Sequence, residues 1–121
     1  MITADHVKAV YAMLREFPPF SRWGLPESDE VEFDALDDDG TTLAEFCILA
    51  DGDAEVLCIS ANPILHSHIS QLIKSVAHEM CHMRQHMTGR LPDNPQKHHN
   101  AAFRRAAYAV AKELGFDVLE V

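Results

Sequence analysis

The stretch from Leu65 to Met87 has the least conformational freedom in this chain, because two different stripes run along it. At about 100° per residue, Ile69, Ile73, Val76, Met80, Met83 and Met87 gather on one side of a helix. His78, His82 and Gln85 gather on nearly the opposite side. Such a helix buries its apolar stripe against a sheet and turns its imidazoles into a cleft. Asn62-Pro63 opens the segment and Gly89 closes it. A helix serving only the core has no use for histidines aligned opposite its apolar stripe.

The polar stripe contains His78-Glu79-Met80-Cys81-His82, the spacing HExxH. Residues i and i+4 share a helix face, so two imidazoles can grip one metal ion. Glu79 then stands beside the metal without being a ligand. Zinc lowers the pKa of a bound water to about 7, and a neighbouring carboxylate can take its proton as it attacks a carbonyl. Cys81 projects about 60° from His78 on the side away from His82, which makes it a packing residue. Gln85 lies between the two histidines in projection, placed either to bond a ligand or a substrate carbonyl or simply to fill the cleft wall. His86, one turn beyond His82 on the rim, reads as solvent- or substrate-contacting. His6, His66 and His68 read as surface residues.

A catalytic zinc takes three protein ligands and keeps a fourth position open. The extended motif HExxHxxGxxH fails, because Gln85 and Thr88 occupy its Gly and His positions. Glu113 lies about 21 Å along a final helix from His99, at 1.5 Å per residue. His99 is the better third ligand: four residues before Phe103, it falls on the inward face at the start of that helix. His98 points about 100° away, although a one-residue slip in the helix start exchanges the two.

The remaining segments predict an α+β domain spanning residues 1–121. Thr3 caps a helix over about 4–16, with Val7, Val10, Tyr11 and Leu14 on one face, and Pro18-Pro19 ends it. Three β-prone runs follow, near 31–36, 41–49 and 54–60. Asp37-Asp38-Asp39-Gly40 and Asp51-Gly52-Asp53 separate them as turns, so an antiparallel meander is expected. The last helix runs over about 98–114, with Phe103, Ala106, Ala107, Val110, Ala111 and Leu114 inward, Tyr108 outward and Gly115 at its end. Residues 116–121 are read as a short tail strand.

Nineteen acidic against ten basic side chains give a net charge of −9, which disfavours direct nucleic-acid binding. The acid peaks between Glu27 and Asp39 without the ligand spacing of a calcium loop. No apolar run is long enough to span a membrane, and the amino end does not resemble a signal peptide. Three cysteines without CxxC spacing point to free thiols in a reducing cytoplasm, with a Cys47–Cys58 cross-strand pair as the lesser alternative. The oligomeric state is not set, and a monomer is compatible with all of this.

His78-Glu79-Met80-Cys81-His82 and Gln85, then a Gly/Pro-containing loop and His99-Asn100-Ala101-Ala102-Phe103, resemble the SprT-like family of zinc metalloproteases, its small phage- or bacterial-type members most closely. The resemblance is specific over about 59–114. It implies a zincin-like fold: an N-terminal helix, a small mainly antiparallel three-stranded sheet, a long HExxH helix and a C-terminal helix carrying the third ligand. It also implies His78, His82 and His99 as zinc ligands and Glu79 as the catalytic glutamate of an endopeptidase acting on a protein or peptide. The rivals are a zinc-binding module of the same fold without proteolysis, a zinc hydrolase of small amides, and a metal-free interaction domain.

Overall fold

The computed structural model describes residues 1–36 and 40–118. The first helix, α1, spans Ala4–Arg15 behind the N-cap Thr3. Val7, Val10, Tyr11 and Leu14 recur at helical spacing and are all buried, so this face is what docks α1. After the two prolines the chain turns through residues 20–30, pressing Phe20 and Leu25 into the core. Tyr11 ties this segment down: its hydroxyl donates to the Pro26 carbonyl at 2.5 Å.

Three strands follow: β1 (Glu32–Ala35), β2 (Ala44–Asp51) and β3 (Ala54–Ala61). The β2–β3 hairpin forms as expected, with Phe46 opposite Ile59 and Cys47 opposite Cys58. The meander does not. The sheet order is β1-β3-β2, with β1 parallel to β3, so the sheet is mixed, although its longer ladder is antiparallel. A turn signal reports that the chain reverses, not that the strands on either side become neighbours. β3, with Leu57, Ile59 and Ala61 facing the core, takes the centre, where both of its edges are bonded. The turn expected at Asp37–Asp39 lies outside the described residues.

Pairing puts Phe33, Ile59 and Phe46 in one row across the sheet, and α1 and α2 cover that face. The helix α2 spans Ile69–Met87, starting four residues later than Leu65. Pro63–Leu65 form a separate 3-10 turn, and the Gln71 side chain accepts from the amides of Ser67 (2.8 Å) and His68 (3.0 Å) at the true start. Leu72, Val76, Met80 and Met83 are wholly buried, whereas Ile69 and Met87 overhang the core and are exposed. Truncating a buried Met to Ala typically costs about 2–5 kcal/mol, so the middle of this helix anchors the domain.

The late start of α2 also changes the reading of His66. Expected on the surface, it is 3% exposed. Its ring bridges the Asn62 carbonyl and the Ser75 hydroxyl, each at 2.7 Å. Because His66 precedes the helix, its ring folds beneath the first turns of α2.

The last helix, α3, spans Ala101–Leu114. Asn100 caps it, its side-chain oxygen accepting from the Phe103 amide at 3.1 Å. Gly115 ends it with φ of +79°, a left-handed conformation that glycine adopts without steric cost. Residues 116–118 are not strand, and Val118 is buried; the rest of the expected tail strand lies outside the described residues. Among those described, no helix is long and apolar enough to cross a membrane.

Candidate metal centre

His78 and His82 lie one turn apart on α2, with ring centroids 4.9 Å apart. His99 meets them from the segment before α3, its Nε2 3.2 Å from His78 Nε2. One nitrogen from each of the three rings lies within 4.8 Å of the others. For Zn–N bonds near 2.1 Å, a tetrahedral site separates its nitrogens by about 3.4 Å, so the His78–His99 spacing suits a shared ion. The helical argument for His99 needs correction. It is not on α3; the 3-10 turn Pro95–Lys97 and the Asn100 cap bring it to the others.

Each α2 histidine is oriented through its other nitrogen. His78 Nδ1 bonds the Val118 carbonyl at 2.6 Å, and His82 Nδ1 bonds Gln85 Oε1 at 2.6 Å. Both partners are acceptors, so each Nδ1 carries the proton and each Nε2 presents a lone pair. Gln85 is 1% exposed and its amide nitrogen donates twice, to the His98 carbonyl (2.7 Å) and to Asn100 Oδ1 (2.9 Å). One side chain thus fixes His82 and clamps the turn that carries His99. Phe103 lies beneath all three imidazoles, with centroids 4.9, 4.5 and 4.5 Å from His78, His82 and His99.

Burial depresses the pKa of all three histidines, His82 to about 4, the Gln85 bond opposing the fall. They are therefore neutral at pH 7, as ligation requires. Glu79 moves the other way. Burial pushes its carboxyl up to about 8, while the Phe46 backbone amide pulls it partly back. Its Oε2 is 3.9 Å from His78 Nε2, and a divalent cation so close would favour the carboxylate.

The other expected residues separate clearly. Cys81 packs in the core. His98, half-buried, bonds the Pro92 carbonyl at 2.9 Å. Glu113 pairs with Arg22 at 3.3 Å, away from the histidines. His86 bonds Glu55 at 2.5 Å and faces the Phe46 ring at 6.0 Å, on the rim beside β2. Cys47 and Cys58, opposite one another in the ladder, are free thiols, as is Cys81. Sequence reasoning missed Val118, whose backbone carbonyl has no side-chain signature. It quoted Phe103 and Asn100 without their roles as floor and cap, although Asn three residues before Phe103 is a capping signal.

Together, the fold and the three convergent imidazoles define a small α+β domain with a site that can hold a metal ion. The chain belongs to the SprT-like family, whose profile it matches over residues 20–120. No curated protein and no solved structure matches the chain closely enough to count as similar.

Proposed function

We propose that this chain is a zinc-dependent endopeptidase, with His78, His82 and His99 holding the metal and Glu79 acting as general base. The observation that carries this reading is a carboxyl group 3.9 Å from one of three converging imidazoles. Zinc, when bound, supplies a Lewis acid that polarises a carbonyl and acidifies water. Glu79 accepts the proton of the attacking water and passes it to the leaving amine. Phe103 and the buried walls around it shield His78 and His82, while His99 stays exposed on the side open to water and substrate.

The sheet supports a way to align a peptide. Asn62 donates to the Leu43 carbonyl at 2.9 Å, so alternation along the antiparallel ladder turns the backbone N–H and C=O groups of Ala44, Phe46, Ile48 and Ala50 outward at the edge of β2. The hydrogen bond of the Phe46 amide to Glu79 supports this reading, since it brings the edge next to that carboxyl group. An extended substrate adds to this edge through its backbone, which favours unfolded polypeptide over a particular side chain. His86, on the same rim, is then a substrate-contacting residue. Its three free thiols suit a reducing cytoplasm.

The test uses purified protein loaded with zinc and an unfolded casein-type substrate. Glu79→Gln should retain stoichiometric zinc and lose cleavage by about 10²–10⁴-fold. Undiminished cleavage would sink the mechanism. Full zinc with no cleavage by the wild type would favour the non-proteolytic binding module instead.

A further inference from the structure

Three arginines stand around one cavity, and among the described residues none of them is paired with a carboxylate. The cavity, about 370 Å³, lies between the C-terminal end of α2, the segment after it and α3, and is lined by Trp23, Arg84, Gln85, Thr88, Arg90 and Arg105 among others. The chain carries 19 acidic and 10 basic side chains. Among the described residues no acid lines this cavity, yet three of the chain's few cations do. Among the described residues, the ion pairs of lysine and arginine lie elsewhere, at Lys8–Asp29 and Arg22–Glu113.

Arg84 is held in place. Its guanidinium sits 5.6 Å from the centroid of the Trp23 ring and donates to the Trp23 carbonyl at 3.3 Å. Arg90 comes from the segment after α2 and Arg105 from α3, so three separate elements of backbone bring like charges to one concavity. Mutual repulsion opposes that arrangement unless an anion joins it.

We infer that this cavity is a binding site for a dianionic phosphate group, free or carried as a monoester. Guanidinium forks match the oxygens of phosphate in pairs. A carboxylate offers one charge and two oxygens, which leaves most of the positive field unanswered, whereas a phosphate monoester offers nearly two charges and three oxygens. Gln85, on the cavity wall, is the amide that holds His82. The phosphate therefore binds one side chain away from the metal centre. This inference does not depend on the proteolytic reading.

Trp23 is the only tryptophan in the chain, so the site has its own reporter. Inorganic phosphate, titrated at constant ionic strength against chloride, should produce a saturable change in tryptophan emission. Arg90→Gln and Arg105→Gln should each weaken binding about tenfold, with circular dichroism and zinc content unchanged. Lys74→Gln removes the same charge elsewhere and should leave the affinity alone. Tighter binding of O-phosphoserine than of phosphate would assign a monoester, and equal binding would assign free phosphate. A linear response, unaltered affinity in the folded Arg90→Gln/Arg105→Gln variant, or equal weakening by Lys74→Gln would each overturn the site.

Discussion

Two histidine sites flank the same helix, and their difference shows how a ring open to a metal is told from a strut. At the start of α2, His66 uses both ring nitrogens within the protein, on the Asn62 carbonyl and the Ser75 hydroxyl. In the middle, His78 and His82 each use one nitrogen on a protein acceptor and turn the other toward a third imidazole. All three rings are buried, so burial does not discriminate between them. A ring with both nitrogens bonded to the protein is closed to a metal; a ring with one nitrogen held is oriented for it.

The largest effect should come from exchanging these roles. His82→Ala removes one of the three proposed ligands, and zinc measured by elemental analysis after dialysis should fall from near one per chain to a trace. His99→Ala should show the same loss. His66→Ala should keep its zinc. Retained zinc in His82→Ala would end the three-histidine assignment, and zinc lost from a folded His66→Ala would erase the distinction between strut and ligand.

A smaller effect tests what orients the ligand. Gln85→Leu fills similar space, but leaves His82 Nδ1 without its acceptor and frees the His98–Asn100 turn. Zinc affinity should fall about 10–100-fold, as when comparable supporting residues are removed. Competition with a chromophoric chelator measures this directly. An unchanged affinity would mean that packing on Phe103 alone sets the imidazoles.

The strut should respond in stability rather than in metal. His66→Ala leaves the Ser75 hydroxyl without its ring partner, while the Asn62 carbonyl keeps the Leu65 amide, and an unpaired buried polar group costs about 1–3 kcal/mol. Urea unfolding of the chelator-treated protein should show that loss. No change would mean that water replaces the ring.

The same contrast explains what could be read from the sequence. Helices, the HExxH spacing and the middle of the apolar stripe of α2 were legible because they are local and periodic. Val76, Met80 and Met83 declare a buried face by their own spacing, whereas the expected stripe leaves out wholly buried Leu72 and takes in exposed Ile69 and Met87. Sheet order was not, because the pairing of β1 with β3 depends on which strand takes the centre, a property of the assembled core. His66 was misplaced by four residues of helix start, which moved it from a helical face to a turn. His99 lies beside His78 and His82, but the helical reason for expecting it there does not apply; its position comes from the Asn100 cap. Val118 acts through its backbone carbonyl, which no side-chain pattern announces.

The smallest expected effect isolates Glu79 from the histidines around it. Burial raises its folded pKa to about 8, above the unfolded carboxylate value. The metal-free fold therefore has the full benefit of the neutral acid below about pH 4.5, and loses it as pH rises through 8. His82 acts in the opposite sense: with its pKa lowered to about 4, it removes stability as pH falls from about 6.5 toward 4. Glu79→Gln keeps His82 and deletes only the carboxylate, so the difference between the two metal-free proteins reports Glu79 alone. Their thermal midpoints should nearly coincide at pH 4.5. By pH 8 the glutamine variant should melt a few degrees higher, since about 1 kcal/mol moves a domain of this size by several degrees. A constant difference across that range would show that Glu79 already carries its charge in the metal-free fold. In that case the site would not need the metal's field to prepare its base.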